Sequence, residues 1–468
     1  MKRYASTFFL LAFIFPFFFA CSSTRLQPKI VDSLPALPQS VVNLPIKIYA
    51  KPLLDKAETL APLEFTSEQW PGYTQQGCDF RYKYRFMRSM LRFTCINNRV
   101  SISLTGNYQV AGSRSACLLG KQIAPWISGS CGFDNEPLRR VNITLASTLR
   151  FLPNYTLRSK SVVEKIDPVD KCAVSFLNTD ITGMIMNTVR NAMNQFTGSL
   201  DRDIARLNIF PLIRSIETGI GKKIMAGKYG YLSVQPYSIK TGKINYTADT
   251  LYLTAGVSLR LELSADSANY PSPKTSLPPL AVADVGSGFA LYANAGYDYP
   301  FLSPLLAQAL QHRLFAIRKE KISIDSIEIK GSGNGSVEVK ALFSGSKKGV
   351  LYLTGTPALD TAKQLISVPD LRFSLRSRSF VLNAGKSFFS KKILRALRKQ
   401  AVVDINKLYR QNKTQIDQAL THQFSKQVSS TGTTGQLALR GMILKKDKIL
   451  LQLSLKGNAT LLAVPAQE

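Results

Sequence analysis

The sequence predicts an α+β protein of two tandem elongated units, each a curved antiparallel sheet wrapped on one long helix. Three observations lead to this prediction. Many segments alternate apolar and polar residues, as half-buried strands do, and two long segments repeat apolar residues every three or four positions, as helices do. The order of these segments is similar in the two halves of the chain, which indicates an internal repeat. With 45% hydrophobic and 19% charged residues, the composition is that of a globular protein.

The first 20 residues have the pattern of a secretory signal peptide. Lys2 and Arg3 precede an apolar stretch over residues 8–19, and Ala20 is followed by Cys21. The segment resembles a bacterial lipoprotein signal. This resemblance implies cleavage before Cys21 and acylation of that residue, which would anchor the chain to a membrane. The alternative is an ordinary cleaved signal that happens to contain a cysteine.

The residues that follow Cys21 predict where the anchor lies. Ser22-Ser23-Thr24-Arg25 has no aspartate beside the cysteine, which by similarity to known sorting rules argues against retention in an inner membrane. It also lacks the acidic run that some lipoproteins use to reach the cell surface. We therefore expect the periplasmic face of the outer membrane, with residues 21–42 as a lipidated spacer.

The first unit is predicted over residues 43–266. Strand patterns at 140–166 lead into a helical stripe from Ile181 to Leu207, which restarts after Pro211 and reaches Ile224. Strand patterns then return over residues 231–263. Residues 267–286, rich in proline and serine, form the predicted linker.

The second unit is predicted over residues 287–465. It repeats the order of a strand, a short helix, several strands, a second helical stripe from Phe389 to Phe424, and two final strands. A helix of ~40 residues is ~60 Å long, so its apolar stripe needs an equally long sheet to cover it. The alternative is a compact α+β sandwich whose helices bend at Pro211 and near Asn412.

The cysteines after the anchor predict an oxidising compartment. Cys78 and Cys95 bracket two alternating segments that a hairpin would bring together, and Cys117 and Cys131 flank an irregular loop. We therefore predict disulfides between Cys78 and Cys95 and between Cys117 and Cys131, although four cysteines allow three connectivities. Cys172 is left over as a buried small residue.

The residues that carry enzyme chemistry are scarce. His312 and His422 are the only histidines, and neither lies in a metal-ligand spacing. The glycines of Gly331-Ser332-Gly333-Asn334-Gly335 connect two strand-like segments, which indicates a turn and not a phosphate loop. We predict a protein without catalytic activity, bound metal or cofactor.

The charge balance predicts an anionic partner. The formal net charge is +30, and removal of Lys2 and Arg3 with the signal takes away only two of these charges. In the bacterial envelope the available anions are lipid head groups, lipopolysaccharide phosphates and acidic polymers, so we expect no nucleic acid partner. The alternative is that the charge serves solubility. The expected docking residues are the cations of the second long helix: Lys391, Lys392, Arg395, Arg398 and Lys399.

Three motifs link the chain to a known family. The runs Asp170–Thr182, Cys131-Gly132-Phe133 and Gly349–Pro357 resemble the bacterial lipoprotein family called domain of unknown function 4403. The order of strands and long helices also resembles tubular lipid-binding proteins, the group that contains bactericidal permeability-increasing protein. This second resemblance implies an apolar groove between helix and sheet that shields acyl chains. Its expected lining residues are Ile185, Val189, Met193, Phe196, Ile393, Leu397, Ile405 and Leu408.

Two functions follow from these expectations. The first is an outer-membrane-tethered periplasmic protein that binds lipid or lipopolysaccharide in the groove, with transfer of that lipid left open by the sequence. The second is a non-catalytic envelope scaffold whose core is filled and whose basic surface meets acidic polymers or outer-membrane proteins.

Overall fold

The computed structural model describes most of the chain after the predicted signal. The described residues are 33–174, 179–206, 224–225, 230–265, 276–310, 315–317, 320–346, 348–376, 394–395, 397–399, 401–423 and 426–464. Strands predominate in them. The longer helices are α1 (Lys51–Leu60), α2 (Thr182–Ala205), α3 (Tyr299–Leu310) and α4 (Ile405–Leu420). No helix in these ranges has both the length and the apolar character needed to cross a membrane.

The strands are numbered in chain order. Those up to the middle of the chain are β1 (Ser40–Tyr49), β2 (Glu64–Thr66), β3 (Thr74–Gln76), β4 (Phe80–Arg88), β5 (Arg92–Ile96), β6 (Arg99–Arg114), β7 (Cys117–Leu118), β8 (Lys121–Gln122), β9 (Ile127–Cys131), β10 (Arg139–Phe151), β11 (Leu157–Pro168), β12 (Ala173–Val174), β13 (Thr179–Asp180), β14 (Ile224–Met225), β15 (Tyr231–Thr241), β16 (Asn245–Thr247) and β17 (Thr250–Ser264). The remaining strands are β18 (Leu280–Val282), β19 (Gly288–Asp298), β20 (Phe315–Ile317), β21 (Glu320–Gly331), β22 (Val337–Gly345), β23 (Gly349–Gly355), β24 (Ala358–Asp360), β25 (Leu365–Ser367), β26 (Arg372–Arg376), β27 (Val403–Asp404), β28 (His422–Gln423), β29 (Val428–Leu444) and β30 (Lys448–Ala463).

A ten-stranded sheet, which we call the central sheet, joins the two halves of the chain. Its path runs β14-β15-β17-β1-β19-β30-β29-β28, with β16 paired to β17 and β18 paired to β15. At the centre, β1 pairs antiparallel with both β17 and β19, so that Asn43 faces Gly256 on one side and Gly288 on the other. Hydrogen bonds of the backbone therefore run continuously from one half to the other.

This continuity overturns the predicted fold class. The protein is mostly β and consists of several sheets with few helices; it is not two tandem units each wrapped on one long helix. Each half contributes three long strands to the shared sheet, in the order β15-β17-β1 and then β19-β30-β29. Because paired strands of one half would leave an open edge, β1 and β19 satisfy each other's edges. Strand β18 lies within the predicted linker, where it pairs with β15.

The long helices are also shorter than predicted. Helix α2 has 24 residues, about 36 Å, and Ile224 from its predicted stripe lies in strand β14. The second predicted stripe is interrupted by β27, which pairs with β25. Asp404 then begins α4 by accepting a 2.9 Å hydrogen bond from the backbone N–H of Lys407. The apolar residues before and after β27 have helical spacing, so the sequence predicts one continuous helix. The backbone is extended at β27, and this separates the two parts.

An eight-stranded sheet carries the first core. Its path runs β11-β10-β6-β4-β2, with β3 on β4 and with β5 and β9 on β6. Helix α2 packs against this sheet. A buried cluster of apolar and sulfur-containing side chains fills the space between them. The cluster contains Tyr108, Cys131, Val141, Ile143, Leu145, Cys172 and Met186. A second, five-stranded sheet, β20-β21-β22-β23-β26, belongs to the other half of the chain.

The predicted disulfide pairing is wrong. The disulfides join Cys78 to Cys117 and Cys131 to Cys172, with Cα–Cα distances of 6.1 and 5.6 Å. Cys95 is free and buried. The predicted hairpin between Cys78 and Cys95 does not form, because β4 and β5 lie end to end along the same edge of the long strand β6.

Cys95 is held in that position by the central sheet. Its thiol donates a 3.5 Å hydrogen bond to the carbonyl oxygen of Ile244, and burial raises the pKa of the thiol. Cys172, predicted to be unpaired, completes the core disulfide instead. Cys21 and the rest of residues 1–32 lie outside the described residues, so the acyl anchor stays a prediction.

Candidate functional site

Strand β4 carries an alternation of aromatic and cationic side chains that the fold separates onto two faces. Successive side chains of a strand point to opposite sides, so Arg81 and Lys83 share one face, and Phe80, Tyr82 and Tyr84 share the other. On the first face the two cations are stacked between aromatic rings from neighbouring segments. We call this set the cation–aromatic ladder; along its length it contains Trp126, Arg81, Tyr73, Lys83, Phe133 and Trp70.

The distances show regular stacking along the ladder. The guanidinium carbon of Arg81 lies 4.5 Å from the ring centres of both Tyr73 and Trp126. The Nζ of Lys83 lies 4.9 Å from the ring centre of Tyr73 and 4.8 Å from that of Phe133. Trp70 extends the row, with its ring centre 6.1 Å from that of Phe133. Both tryptophans of the chain therefore belong to this one surface.

Local structure fixes each ring. Tyr73 lies just before β3, which pairs with β4 so that Gln75 faces Arg81. Trp126 immediately precedes β9, and Phe133 follows it. Strand β9 is held along one edge by its pairing with β6 and at its end by the Cys131–Cys172 disulfide. The ladder is therefore assembled from three segments that the sheet and a disulfide hold in place.

Arg81 and Lys83 carry the charges of the ladder. Among the described residues, neither Arg81 nor Lys83 forms an ion pair, and the buried Nε of Arg81 has no hydrogen-bond partner. A cation over an aromatic face gains about 0.5–2 kcal/mol, depending on how far it is desolvated. This contact uses the flat side of the guanidinium and leaves N–H groups at its edge. Such groups bind phosphate and carboxylate oxygens, for which a guanidinium can supply two parallel hydrogen bonds.

The opposite face of β4 is an aromatic row. The ring centres of Phe80 and Tyr82 are 5.8 Å apart, and those of Tyr82 and Tyr84 are 6.4 Å apart. Arg114 from the paired strand β6 lies 5.7 Å from the ring centre of Phe80. Tyr84 at the end of the row is 38% exposed. Both faces of this end of the sheet thus combine rings with cations.

The central sheet holds two cavities away from the ladder. One, of about 270 Å³, is lined mainly by apolar side chains and by a polar row across the strands, formed by Ser233, Glu262 and Asn294. The other, of about 370 Å³, lies around Asn43, Phe289 and Asn458. Within the described residues, no group of three or more His, Cys, Asp or Glu side chains is arranged to hold a metal ion.

Comparison with known proteins places the chain in a family. A family model described as "Domain of unknown function (DUF4403)" matches residues 38–462. The chain belongs to this family. The family expected from the three sequence motifs is thereby confirmed. Comparison with curated proteins gave no match.

One solved structure has a low-scoring likeness to this DUF4403 protein. The "Crystal structure of lipopolysaccharide binding protein" aligns with a TM-score of 0.20 and 12% sequence identity, covering 92% of this chain and 100% of that chain.

The residues expected to line a groove in this DUF4403 protein occupy several environments. Ile185 and Val189 pack against the buried cluster under α2. Ile405 is buried, whereas Phe196 and Leu408 are 51% and 46% exposed. Met193 and Leu397 are half-buried, and Ile393 lies outside the described residues. None of the described ones lines either of the two cavities.

The expected docking cations are only partly described. Lys391 and Lys392 lie outside the described residues, and Arg395, Arg398 and Lys399 are exposed. Arg398 donates a 3.3 Å hydrogen bond to the carbonyl oxygen of Leu371. The ladder was not anticipated at all, although the alternation Phe80-Arg81-Tyr82-Lys83-Tyr84-Arg85 was visible in the sequence. Its other rings come from segments that only the fold brings next to β4.

Proposed function

We propose that this DUF4403 protein is a non-enzymatic lipoprotein of the bacterial envelope that binds anionic lipid, including lipopolysaccharide, through the cation–aromatic ladder. One observation carries the proposal: two cations that have no acidic partner in the described part of the chain lie between aromatic rings on a strand of the eight-stranded sheet. Fixed guanidinium and ammonium groups bind head-group phosphates without first breaking an ion pair of their own.

The chemistry of the rings agrees with a lipid partner. Tryptophan and tyrosine have an apolar body and a polar atom, and they favour the boundary between head groups and acyl chains. The net charge of +30 adds a long-range attraction toward any anionic membrane surface.

The predicted acyl anchor would keep the ladder near such a surface. The chain between Cys21 and Ser33 spans at most ~40 Å when fully extended. At Pro35 the described chain meets the central sheet, where its carbonyl oxygen accepts a 2.7 Å hydrogen bond from the Nε2 of Gln452. A spacer this short would keep the folded part of the chain close to the membrane that holds Cys21, and we propose that this membrane is the outer membrane, on its periplasmic side.

A charge-matched pair of double variants tests the proposal. In the mature protein, Arg81→Gln with Lys83→Gln removes the ladder's two cations, whereas Arg85→Gln with Arg99→Gln removes two cations that Glu64 and Glu164 already pair at 2.9 and 2.8 Å. We expect the ladder variant to bind vesicles of anionic phospholipid, or lipopolysaccharide, at least tenfold more weakly. We expect the variant at Arg85 and Arg99 to bind about as well as wild type. Equal loss in both variants would show that only overall charge matters and would refute the ladder as the site.

A second candidate is docking on an acidic envelope polymer. It is favoured by Arg395 and Lys399, which are exposed and lie outside the ladder. Charge reversal at Arg395 and Lys399 would abolish polymer binding while lipid binding persists, if this second surface is the functional one. Loss of lipid binding in the Arg81 and Lys83 variant together with intact polymer binding would instead support the lipid proposal.

A further inference from the structure

A small hairpin next to the ladder exposes large apolar side chains. Strands β7 and β8 and the segment up to Ile127 form it, and we call residues 117–127 the apolar hairpin. Leu119 at its tip is 95% exposed, and Leu118, Ile123 and Ile127 are 57–63% exposed. Single exposed leucines are ordinary on protein surfaces, but a cluster of this kind marks an interaction site.

The apolar hairpin is ordered by many contacts. The Cys78–Cys117 disulfide fixes its first residue to the start of β4. Ile123 donates a 2.9 Å backbone hydrogen bond to Ala116, and the hydroxyl of Ser115 donates one of 2.6 Å to the carbonyl oxygen of Ala124. Near the other end, Trp126 stacks on Arg81 of the ladder. The exposed side chains therefore project from a hairpin whose backbone is fixed by a disulfide and by hydrogen bonds.

The turn at the tip places a leucine where the backbone disfavours it. Leu119 and Gly120 have φ values of +48° and +77° and connect β7 directly to β8. Two consecutive residues with positive φ are characteristic of a type I′ hairpin turn, in which Asn-Gly is the preferred pair. Leucine is sterically disfavoured in this left-handed backbone region, whereas asparagine adopts it more readily. The sequence thus keeps an apolar side chain at the most exposed point of the hairpin against its local preference.

The charge around the hairpin selects the partner. From Arg114 to Phe133 the only ionisable side chains with full charges are Arg114 and Lys121, and there is no aspartate or glutamate. Arg81 of the ladder lies directly beside Trp126. An apolar tip with a cationic base matches an anionic bilayer, whose phosphates lie above its acyl chains.

We propose that the apolar hairpin inserts Leu118 and Leu119 into the acyl-chain boundary of an anionic phospholipid bilayer, while the ladder holds the head groups above it. This inference rests on the proposed lipid binding and deepens it, because it assigns the apolar half of the contact to a different set of residues. The bound lipid is then part of a membrane and not a single molecule enclosed in the protein.

The turn geometry supplies a variant that separates insertion from folding. Leu119→Asn removes the apolar group and introduces the pair that the turn prefers, so the fold is expected to be at least as stable. The matched control is Leu63→Asn, which changes a leucine that is 61% exposed in the loop between α1 and β2. We expect Leu119→Asn to bind anionic vesicles about tenfold more weakly and Leu63→Asn to bind as wild type does.

Salt distinguishes the two proposals. Raising the salt concentration to about 0.5 M screens the ladder, so the binding that remains comes from insertion and should be lost in Leu119→Asn. Normal vesicle binding by Leu119→Asn, with weak binding by the Arg81 and Lys83 variant, would overturn insertion and leave the proposed function standing. Normal vesicle binding by both variants would overturn both. Loss of a protein partner in Leu119→Asn, with unchanged vesicle binding, would assign the hairpin to that protein and overturn insertion.

Discussion

The two ends of strand β4 use the same residue types for different purposes. At one end Arg85 and Arg88 pair with Glu64 and Glu58, and we call this the acid-paired end. At the other end Arg81 and Lys83 stack on aromatic rings in the ladder. Fewer than ten residues separate the two arrangements on one continuous strand. The neighbours supplied by other segments, and not the strand itself, decide what each cation does.

Arg88 shows the purely structural use of a cation. Only 2% of its side chain is exposed, and its guanidinium also donates to the backbone carbonyl oxygens of Pro62 and Ala61 at 3.1 and 2.6 Å. Every edge that could meet a ligand is occupied by the chain itself. In the ladder, aromatic rings lie over the Arg81 guanidinium and the Lys83 ammonium instead, and no carboxylate among the described residues pairs with either cation. The difference predicts that one end governs stability and the other governs binding.

The largest expected effect follows from removing Arg88. Arg88→Met leaves the partly buried Glu58 without its partner, and breaking such a pair costs about 3–5 kcal/mol. Urea unfolding should show this loss in the free energy of unfolding. The folded fraction should bind anionic vesicles normally, because the ladder is untouched. A variant with wild-type stability would contradict the structural role assigned to this end.

Removing the disulfide of the ladder end should have the next largest effect on stability. Cys78→Ser with Cys117→Ser opens a loop with a sequence separation of 39, and a native disulfide of this kind contributes about 2–4 kcal/mol. Vesicle binding should also weaken, because the base of the apolar hairpin is no longer tied to β4. The control is Cys95→Ser, which alters a free cysteine and should leave vesicle binding unchanged. Intact binding without the disulfide would show that the ladder alone orients the hairpin.

The fold could be predicted from the sequence only in part. Alternating residues correctly indicated many strands, such as β10 and β17, because half-buried strands have a period of two. Pairing between distant strands was not visible, and the contact of β1 with β19 turned two expected units into one shared sheet. The helical pattern before Phe424 gave no indication of β27, since a strand of two residues is too short to produce a periodic pattern.

The candidate site was harder to predict than the fold. The predicted cysteine pairing was wrong because spacing along the chain does not reveal that β4 and β5 pair with the same edge of β6. The ladder depends on Tyr73, Trp126 and Phe133, which lie up to about sixty residues apart and meet only through β3 and β9. A search for alternating aromatic and cationic residues would have found its centre on β4. It would not have found the rings that hold the cations.

Acid should loosen the acid-paired end before it affects the ladder. Burial of the Glu58 carboxyl raises its pKa, but hydrogen bonds from the Leu91 N–H and from Arg88, with the charge of Arg88, outweigh this and lower the pKa below its ordinary value of 4.5. A lowered pKa in the folded state means stability that is present above pH 4.5 and is lost as the pH falls through the folded value. Urea unfolding at a series of pH values should show this decline, and Glu58→Gln should show a smaller one. Identical pH profiles for both proteins would contradict the assignment.

The smallest expected effect compares one ring at each end of the strand. Tyr73→Leu removes the ring shared by Arg81 and Lys83, whereas Phe65→Leu removes the ring that lies 6.2 Å from Phe86 near the acid-paired end. Each change should lower the free energy of unfolding by about 0.5–1.5 kcal/mol, since each removes one aromatic ring from a packed contact. Only Tyr73→Leu should weaken binding to anionic vesicles, by a few-fold, because its cations keep their charge but lose their fixed positions. If both variants bind vesicles equally well, charge without positioning is sufficient, and the ladder's geometry has no part in recognition.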